Sequence, residues 1–313
     1  MQNAKLSSYN LITPVKNEEE HLPKLAHCVV NQSHPPDVWV IIDDGSTDRT
    51  REIIRGLASE HRWIHTIQSE QSGERTFGSH FAEIVRTALD KSVELSGDVK
   101  YLIKVDADVR FHDDTFKMLV ETMDNDANLA IASPRLMTLR QEIDVAELRR
   151  PEAVLENKDL IIRTDRKRIN EPTDGIRIYR KRFLDEIGGF PITAASDDIV
   201  LGKAVMKGYS IGFVDRLWGS LTRDTGTTLK SNYMRGKFKG HRLYVSYYHP
   251  LMVAGIFVWD ALFNSSRVVG EVAGYFESVI KRRERIDDPD VKRYYGRERF
   301  KKLLTFMKRR FAG

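Results

Sequence analysis

The chain has 313 residues, 41% hydrophobic and 30% charged, a balance that fits a large folded core with an appendage and excludes a disordered or fibrous protein. The net charge of +5 is uneven: residues 281–313 carry 13 Lys/Arg against 5 Asp/Glu, or +8, which leaves −3 for the other 280. A basic tail on a mildly acidic body argues against a general nucleic-acid binder and for a local contact with something anionic.

YNLITPV reads as a strand, and the following segment shifts to a helix with Leu22, Leu25 and Val29 on one face. VWVIIDD is a continuous apolar strand ending in two acids, and GSTDRTREIIRGLASEH turns and then becomes helical. WIHTIQ is a third strand, followed by the polar loop SEQSGERTFGSH and the helical FAEIVRTALDKSVEL; YLIKV is a fourth, running into DADVRFHDD. Strands alternating with helices of this length predict an α/β fold with a mostly parallel sheet covered on both faces, and ligands in such sheets sit beyond the carboxyl ends of the strands. Asp43/Asp44 and Asp106/Asp108 both fall at that edge.

Beyond residue 135 the pattern loosens, and the polar stretch from Arg140 to Glu171 reads as a surface excursion or an acceptor-facing insertion. Order returns with DGIRIYRKRFLDEIGGF and with SDDIVLGKAVMKGYSIGFV, a helix that ends at Gly208 and passes into a strand. LMVAGIFVWDALF is the most apolar run, but its 13 residues include Asp260 and fall short of the roughly 20 that a spanning helix needs. Near the C-terminus, Phe300, Leu303, Leu304, Met307 and Phe311 form one helical stripe among lysines and arginines. Such a helix lies on an anionic membrane or docks on protein. The expected division is 1–225 and a helical, basic 226–313. The lone Cys28 closes no internal disulfide, and no basic-apolar leader is visible, so the expected setting is cytoplasmic, with peripheral attachment at the membrane face.

An Asp-X-Asp at a strand end brings two carboxylates near one small volume, which suits Mg²⁺ or Mn²⁺ held by few protein ligands; a solvated turn is the plain alternative. Asp-Gly-Ser-Thr-Asp after Asp43 is also a good turn and N-cap by chemistry alone. Asp197 and Asp198 open a helix, where the dipole favours carboxylates without any catalysis. The nine histidines show no metal-ligand spacing, and one cysteine excludes a cysteine-rich zinc site.

In order, these blocks resemble the family 2 glycosyltransferases of the GT-A fold, over roughly residues 8 to 225. LITPVKNEEEH is similar to the family's opening segment, with Lys16 where an aromatic is usual, and implies donor contacts from Pro14, Val15 and Glu18. IIDDGSTDRT matches the second block, so Asp43 is implied to hold the nucleotide base and Asp44 to support it; SGERTFGSH makes Arg75 a candidate donor contact. VDADVRF looks like the metal motif, with Asp106 facing donor ribose and diphosphate and Asp108 ligating the ion. DDIVLGKAVMKGY is similar to the segment that supplies the base: Asp198 falls on the catalytic Asp, and Asp197 stands where Glu is usual. Farther on, Arg235 and Lys239 are candidate phosphate or acceptor contacts, or simply part of a basic solvated helix.

The resemblance implies an inverting, Mg- or Mn-dependent transfer of sugar from a nucleotide diphosphate sugar to a glycan or lipid-linked acceptor, with Asp198 as base. Two alternatives stand beside it: a Mg-dependent phosphohydrolase or phosphotransferase using Asp106 as nucleophile, and a non-catalytic membrane-surface scaffold on a transferase fold.

Overall fold

The computed structural model describes residues 6–69, 79–157, 159–164, 172, 174–221, 223, 231–263 and 265–311. In chain order the elements are β1 (Tyr9–Val15), α1 (Leu22–Val30), β2 (Val38–Asp43), α2 (Thr50–Glu60), β3 (Ile64–Gln68), α3 (Ser79–Ser96), β4 (Tyr101–Val105), β5 (Val109–Phe111) and α4 (Thr115–Asn125). There follow β6 (Leu129–Leu139), a short 3₁₀ helix (Val145–Arg149), α5 (Glu152–Glu156), β7 (Ile161–Thr164), β8 (Ile176–Arg180), α6 (Lys181–Glu186), α7 (Ser196–Met206) and β9 (Ser210–Leu221). The C-terminal part is helical: α8 (Asn232–Val245), α9 (Pro250–Phe263), α10 (Ser265–Ile280), α11 (Pro289–Arg293), a π-helical turn (Tyr294–Glu298) and α12 (Arg299–Phe311). Two compact units result. The first comprises Met1–Arg75, Phe81–Phe190 and Gly208–Asp224; the second comprises Thr76–His80, Pro191–Lys207 and Thr225–Gly313.

The first unit is built on a nine-stranded sheet of order β3-β2-β1-β4-β8-β6-β9-β5, with β7 paired to β6. β3, β2, β1 and β4 run parallel, whereas β8 is antiparallel to β4 and β6, so the sheet is mixed beyond its N-terminal half. Every residue of β2 and β4 is buried, including Asp43 and Lys104, as expected of strands covered on both faces. Helices bring matching stripes: Leu22, Leu25, Ala26 and Val29 of α1, and Phe116, Leu119, Val120 and Met123 of α4, all join the core at i, i+3, i+4, i+7 spacing. The described part of the polar stretch after residue 140, up to residue 164, is more ordered than its composition suggests. Leu148 and Val154 bury against Met137, Leu139 and Trp218, and β7 extends the sheet.

In the second unit, Ile199 of α7 packs with Val291, Tyr294 and Tyr295, and α8 lies against α10 at close range. That range depends on glycine: a Cβ at Gly240 would overlap the Glu271 carbonyl, and one at Gly274 the Lys237 carbonyl. Both obstacles are backbone, which cannot swing aside. Gly240→Val should therefore push the two helices apart and lower the melting temperature by several degrees, read by circular dichroism.

Asp124, at the end of α4, accepts hydrogen bonds from Ser7 Oγ (2.7 Å), Lys100 Nζ (2.6 Å) and Tyr101 OH (2.8 Å), tying α4 to the starts of β1 and β4. Desolvation pulls its pKa up, but the bonds from Lys100, Ser7 and Tyr101 outweigh it and hold the carboxyl at about 2. A depressed carboxylate contributes stability above its unfolded pKa and loses it as pH falls through the folded one. Asp124→Asn should thus cost about 1–2 kcal/mol at pH 7, and the difference from wild type should shrink between about pH 4 and pH 2 in urea titrations.

Candidate active site

The parallel half of the sheet sets the geometry. Because β1 pairs in register with β2 (Val15 beside Asp43) and with β4 (Ile12 beside Lys104), the carboxyl ends of these strands open on one edge. Pro14, Val15, Glu18, Asp43, Asp44 and Asp106 all lie on or just past those ends. The loops after β1 and β2 are laced together: Asn17 N donates to Ser46 Oγ (2.9 Å), Glu18 N to Thr50 Oγ1 (2.7 Å) and Thr47 N to Asn17 Oδ1 (2.8 Å). Asn17 has φ of 55°, a left-handed conformation that asparagine tolerates better than most residues.

Each acid on this edge is held by a cation. Asp43 is 2% exposed; one oxygen accepts from Ser46 N (2.9 Å), and the other from Arg51 Nε (2.6 Å). Asp44 N donates to Val15 O (2.9 Å), and its carboxylate lies 3.5 Å from Lys16 Nζ, which also donates to the Asp44 carbonyl. Lys16, in the place of an aromatic, thus braces the second acid of the pair. Asp106 accepts from Lys104 Nζ (2.8 Å), a strand lysine whose side chain is only 1% exposed. Burial is the main reason that the Asp106 carboxyl is pushed up to about 6; Lys104 opposes this, while Asp174 and Asp108 add to it.

Asp108 and Glu18 share one guanidinium: Arg223 Nε donates to Asp108 Oδ2 (2.7 Å) and Arg223 Nη2 to Glu18 Oε1 (2.5 Å). The reason is register. β5 pairs antiparallel with β9, Val109 opposite Leu221, so residue 223 emerges opposite residue 107, beside Asp108. Arg110 braces the same turn through bonds to the carbonyls of Ala107 (3.0 Å) and Val109 (2.9 Å). The second oxygen of Glu18, Oε2, is buried with no hydrogen-bond partner, and burial raises the Glu18 pKa against the pull of Arg223. Asp106, Asp108 and Glu18 offer only oxygen ligands, the donor chemistry of a hard divalent cation. A different trio, His112, Asp113 and Asp114, has its ligand atoms within 4.8 Å of one another, but Arg149 already pairs with both of its acids.

Asp197, Asp198, Arg235 and Lys239 belong to the second unit. Asp197 and Asp198 lie in the first turn of α7, whose N-cap, Ala195, makes no side-chain cap. The Asp198 carboxylate pairs with Arg242 of α8, and its main-chain carbonyl accepts from Tyr295 OH (2.5 Å). Arg242 is held firmly protonated, chiefly by the Asp198 charge. Lys239 binds Asp260 and Glu271, the latter at 3.0 Å, so its charge is engaged inside the helical unit. Arg235 reaches Asn232 Oδ1 at 3.5 Å, and its Nε is buried without a partner. Arg75 lies outside the described residues.

Sequence reasoning named the acids and missed the cations: Arg51, Lys104, Arg223 and Arg242. Only Lys104 left a local sign, a lysine inside an apolar strand two residues before Asp106 and so on the same face. Removing a cation from a buried carboxylate strands the charge. Arg51→Met should destabilise the protein by about 1–3 kcal/mol in chemical denaturation, and pairing it with Asp43→Asn should recover much of that loss.

The family model described as "Glycosyl transferase family 2" matches residues 10–188. Among curated relatives, the succinoglycan biosynthesis protein ExoA of Rhizobium meliloti is 29% identical over 152 residues, covering 48% of this chain and 41% of its own length. The 4,4'-diaponeurosporenoate glycosyltransferase of Staphylococcus haemolyticus is 32% identical over 107 residues, 34% of this chain and 26% of the relative. The matches therefore span less than half the length of these relatives. Among solved structures, the mannosyltransferase PcManGT of Pyrobaculum calidifontis, in complex with GDP-Man and Mn²⁺, superposes with a TM-score of 0.52 at 17% identity, over 77% of this chain and 63% of that one. GalNAc-T7 with UDP, GalNAc and Mn²⁺ gives a TM-score of 0.50 at 14% identity, over 77% and 51%. The fold is that of the GT-A glycosyltransferases, and with more than half its length matched by the family model, the chain belongs to glycosyl transferase family 2.

Proposed function

We propose that this protein transfers a sugar from a nucleotide diphosphate sugar to a glycan or lipid-linked acceptor, with inversion at the anomeric carbon. The observation that carries this reading is the acidic edge itself: Glu18, Asp43, Asp44 and Asp106 gather at the carboxyl ends of three neighbouring parallel strands, and one guanidinium joins Glu18 to Asp108. Crevices outside such strand ends are where α/β sheets bind nucleotides. Asp43, fixed by Ser46 N and Arg51, presents a rigid acceptor for the amide or amino edge of a base, with Asp44 supporting it and Pro14 and Val15 forming the adjoining wall.

Asp108 and Asp106 would hold Mg²⁺ or Mn²⁺, and the partnerless Oε2 of Glu18 adds an oxygen of the right chemistry beside them. A bound ion of this kind neutralises the departing diphosphate. Arg223 places positive charge against both Asp108 and Glu18 and so bridges the two acids. Asp198, in the first turn of α7, removes the proton of the acceptor hydroxyl. Arg242 fixes its orientation, and Asp197 supplies the neighbouring negative charge. The names of the relatives, one for succinoglycan biosynthesis and one for glycosyl transfer to 4,4'-diaponeurosporenoate, support a glycan or lipid-borne acceptor class.

A thermal-shift panel of UDP, GDP, CDP and dTDP sugars with Mn²⁺ should identify the donor as the one that raises the melting temperature. With that donor, Asp198→Asn should keep its affinity within about twofold while turnover falls by about 10²–10⁴; unimpaired turnover would remove Asp198 from the role of base. Asp108→Ala should abolish the gain in donor affinity that Mn²⁺ confers, measured by calorimetry, and a donor affinity that ignores Mn²⁺ in the wild type would overturn the metal assignment.

A further inference from the structure

Helices α9 and α10 are inside out. Along α9, Leu251, Val258, Trp259 and Leu262 are 61–72% exposed, and the residues between them on that face are Ala254, Gly255 and Ala261, so the outward stripe is wholly apolar. The acid of the same helix, Asp260, is 5% exposed and turned inward. Helix α10 repeats the arrangement: Val269, Phe276 and Ile280 are 51–79% exposed, while Glu271 and Ser278 are buried at 1% and 3%. Lys239 of α8 meets both buried acids, and Glu271 keeps one oxygen without a partner. A helix surrounded by water buries its apolar stripe and hydrates its charges. Here the acids Asp260 and Glu271 turn inward to Lys239, whose own side chain stays 43% exposed, and the hydrocarbon of the two helices faces out, the arrangement favoured where the surroundings are themselves apolar.

We infer that the outward face of α9 and α10 docks into one leaflet of an anionic bilayer. Length excludes crossing: 14 and 16 residues give helices of about 21 and 24 Å, short of the roughly 30 Å hydrocarbon core. No described helix is long and apolar enough to span. The charge chooses the partner. Immediately after Ile280 come Lys281, Arg282 and Arg283, all exposed, and residues 281–313 carry +8. Basic residues at the end of an apolar stripe complement anionic head groups. A second copy of this chain, itself +5, does not supply that complement. Trp259 on the stripe adds the side chain most at home at the head-group boundary. The inference requires none of the catalytic assignments, and its test involves no sugar transfer.

The test is flotation of the full chain with phosphatidylcholine vesicles, and with vesicles in which phosphatidylglycerol replaces roughly a third of the lipid. The expected result is binding to the anionic vesicles that weakens with salt. Val258→Glu/Leu262→Glu, at exposed positions that leave the fold and melting temperature intact, should reduce partitioning by about a hundredfold. Arg282→Glu/Arg283→Glu should lower it at least fivefold for each arginine removed, on anionic vesicles alone. Brominated acyl chains should quench tryptophan emission in the wild type and not in Trp259→Phe. Equal flotation of the Val258→Glu/Leu262→Glu variant and wild type, or no flotation of either, would overturn the inference. So would a lipid-free dimer, seen by light scattering, that this double substitution dissolves, since the face would then belong to a second copy.

Discussion

The structure turns on the cost of burying carboxylates. Three parallel strands deliver Glu18, Asp43 and Asp106 to one sheet edge, where neighbouring loops and strands bury Glu18 and Asp43 and cover Asp106 in part. A desolvated, unpaired carboxylate is expensive, and it takes up a proton or acquires a cation. Most of these acids follow the second course: Arg51 for Asp43, Lys16 for Asp44, and Arg223 for Glu18 and Asp108. Asp106 pairs with Lys104, and burial still pushes its carboxyl up to about 6.

The same rule organises the helical unit with the opposite surface. There Lys239 pairs with Asp260 and Glu271, and Arg242 with Asp198, so these acids are paired beside an apolar core of Ile199, Val291, Tyr294 and Tyr295. Close approach of α8 and α10 at Gly240 and Gly274 lets these side chains meet without a thick apolar layer between the helices. The apolar residues left over face outward on α9 and α10. A buried polar network of this kind is stable only when nearly every member is satisfied, and its unmatched atoms, Glu271 Oε2 and Arg235 Nε, lie in the helices of this network.

The two ideas meet in one physical picture of the molecule's chemistry. Paired acids are held in fixed positions by their partners, the kind of preorganisation that lowers the reorganisation needed when charge changes. Arg223 occupies a particular position in this respect, because a single side chain bridges Asp108 of the Asp-X-Asp turn and Glu18. Its placement comes from the pairing of β5 with β9 across more than a hundred residues of chain.

By itself the sequence determined the elements and the identity of the acids. Strand-like apolar segments gave β1, β2 and β4, a 3.6-residue stripe gave α1, and IIDDGSTD and VDADVRF placed acids at or just past the carboxyl ends of β2 and β4. These are local signals, set by side-chain periodicity and by turn-forming residues, and they survive without knowledge of the rest of the fold. Tertiary structure decided what neutralises those acids. Arg51 must fold back across a turn, Arg223 must arrive by antiparallel register, and Arg242 must come from another helix. It also decided which face of α9 points outward: LMVAGIFVWDALF is apolar on every side but one, so periodicity names no buried face, whereas in the fold Asp260 turns inward to Lys239 and the hydrocarbon faces out.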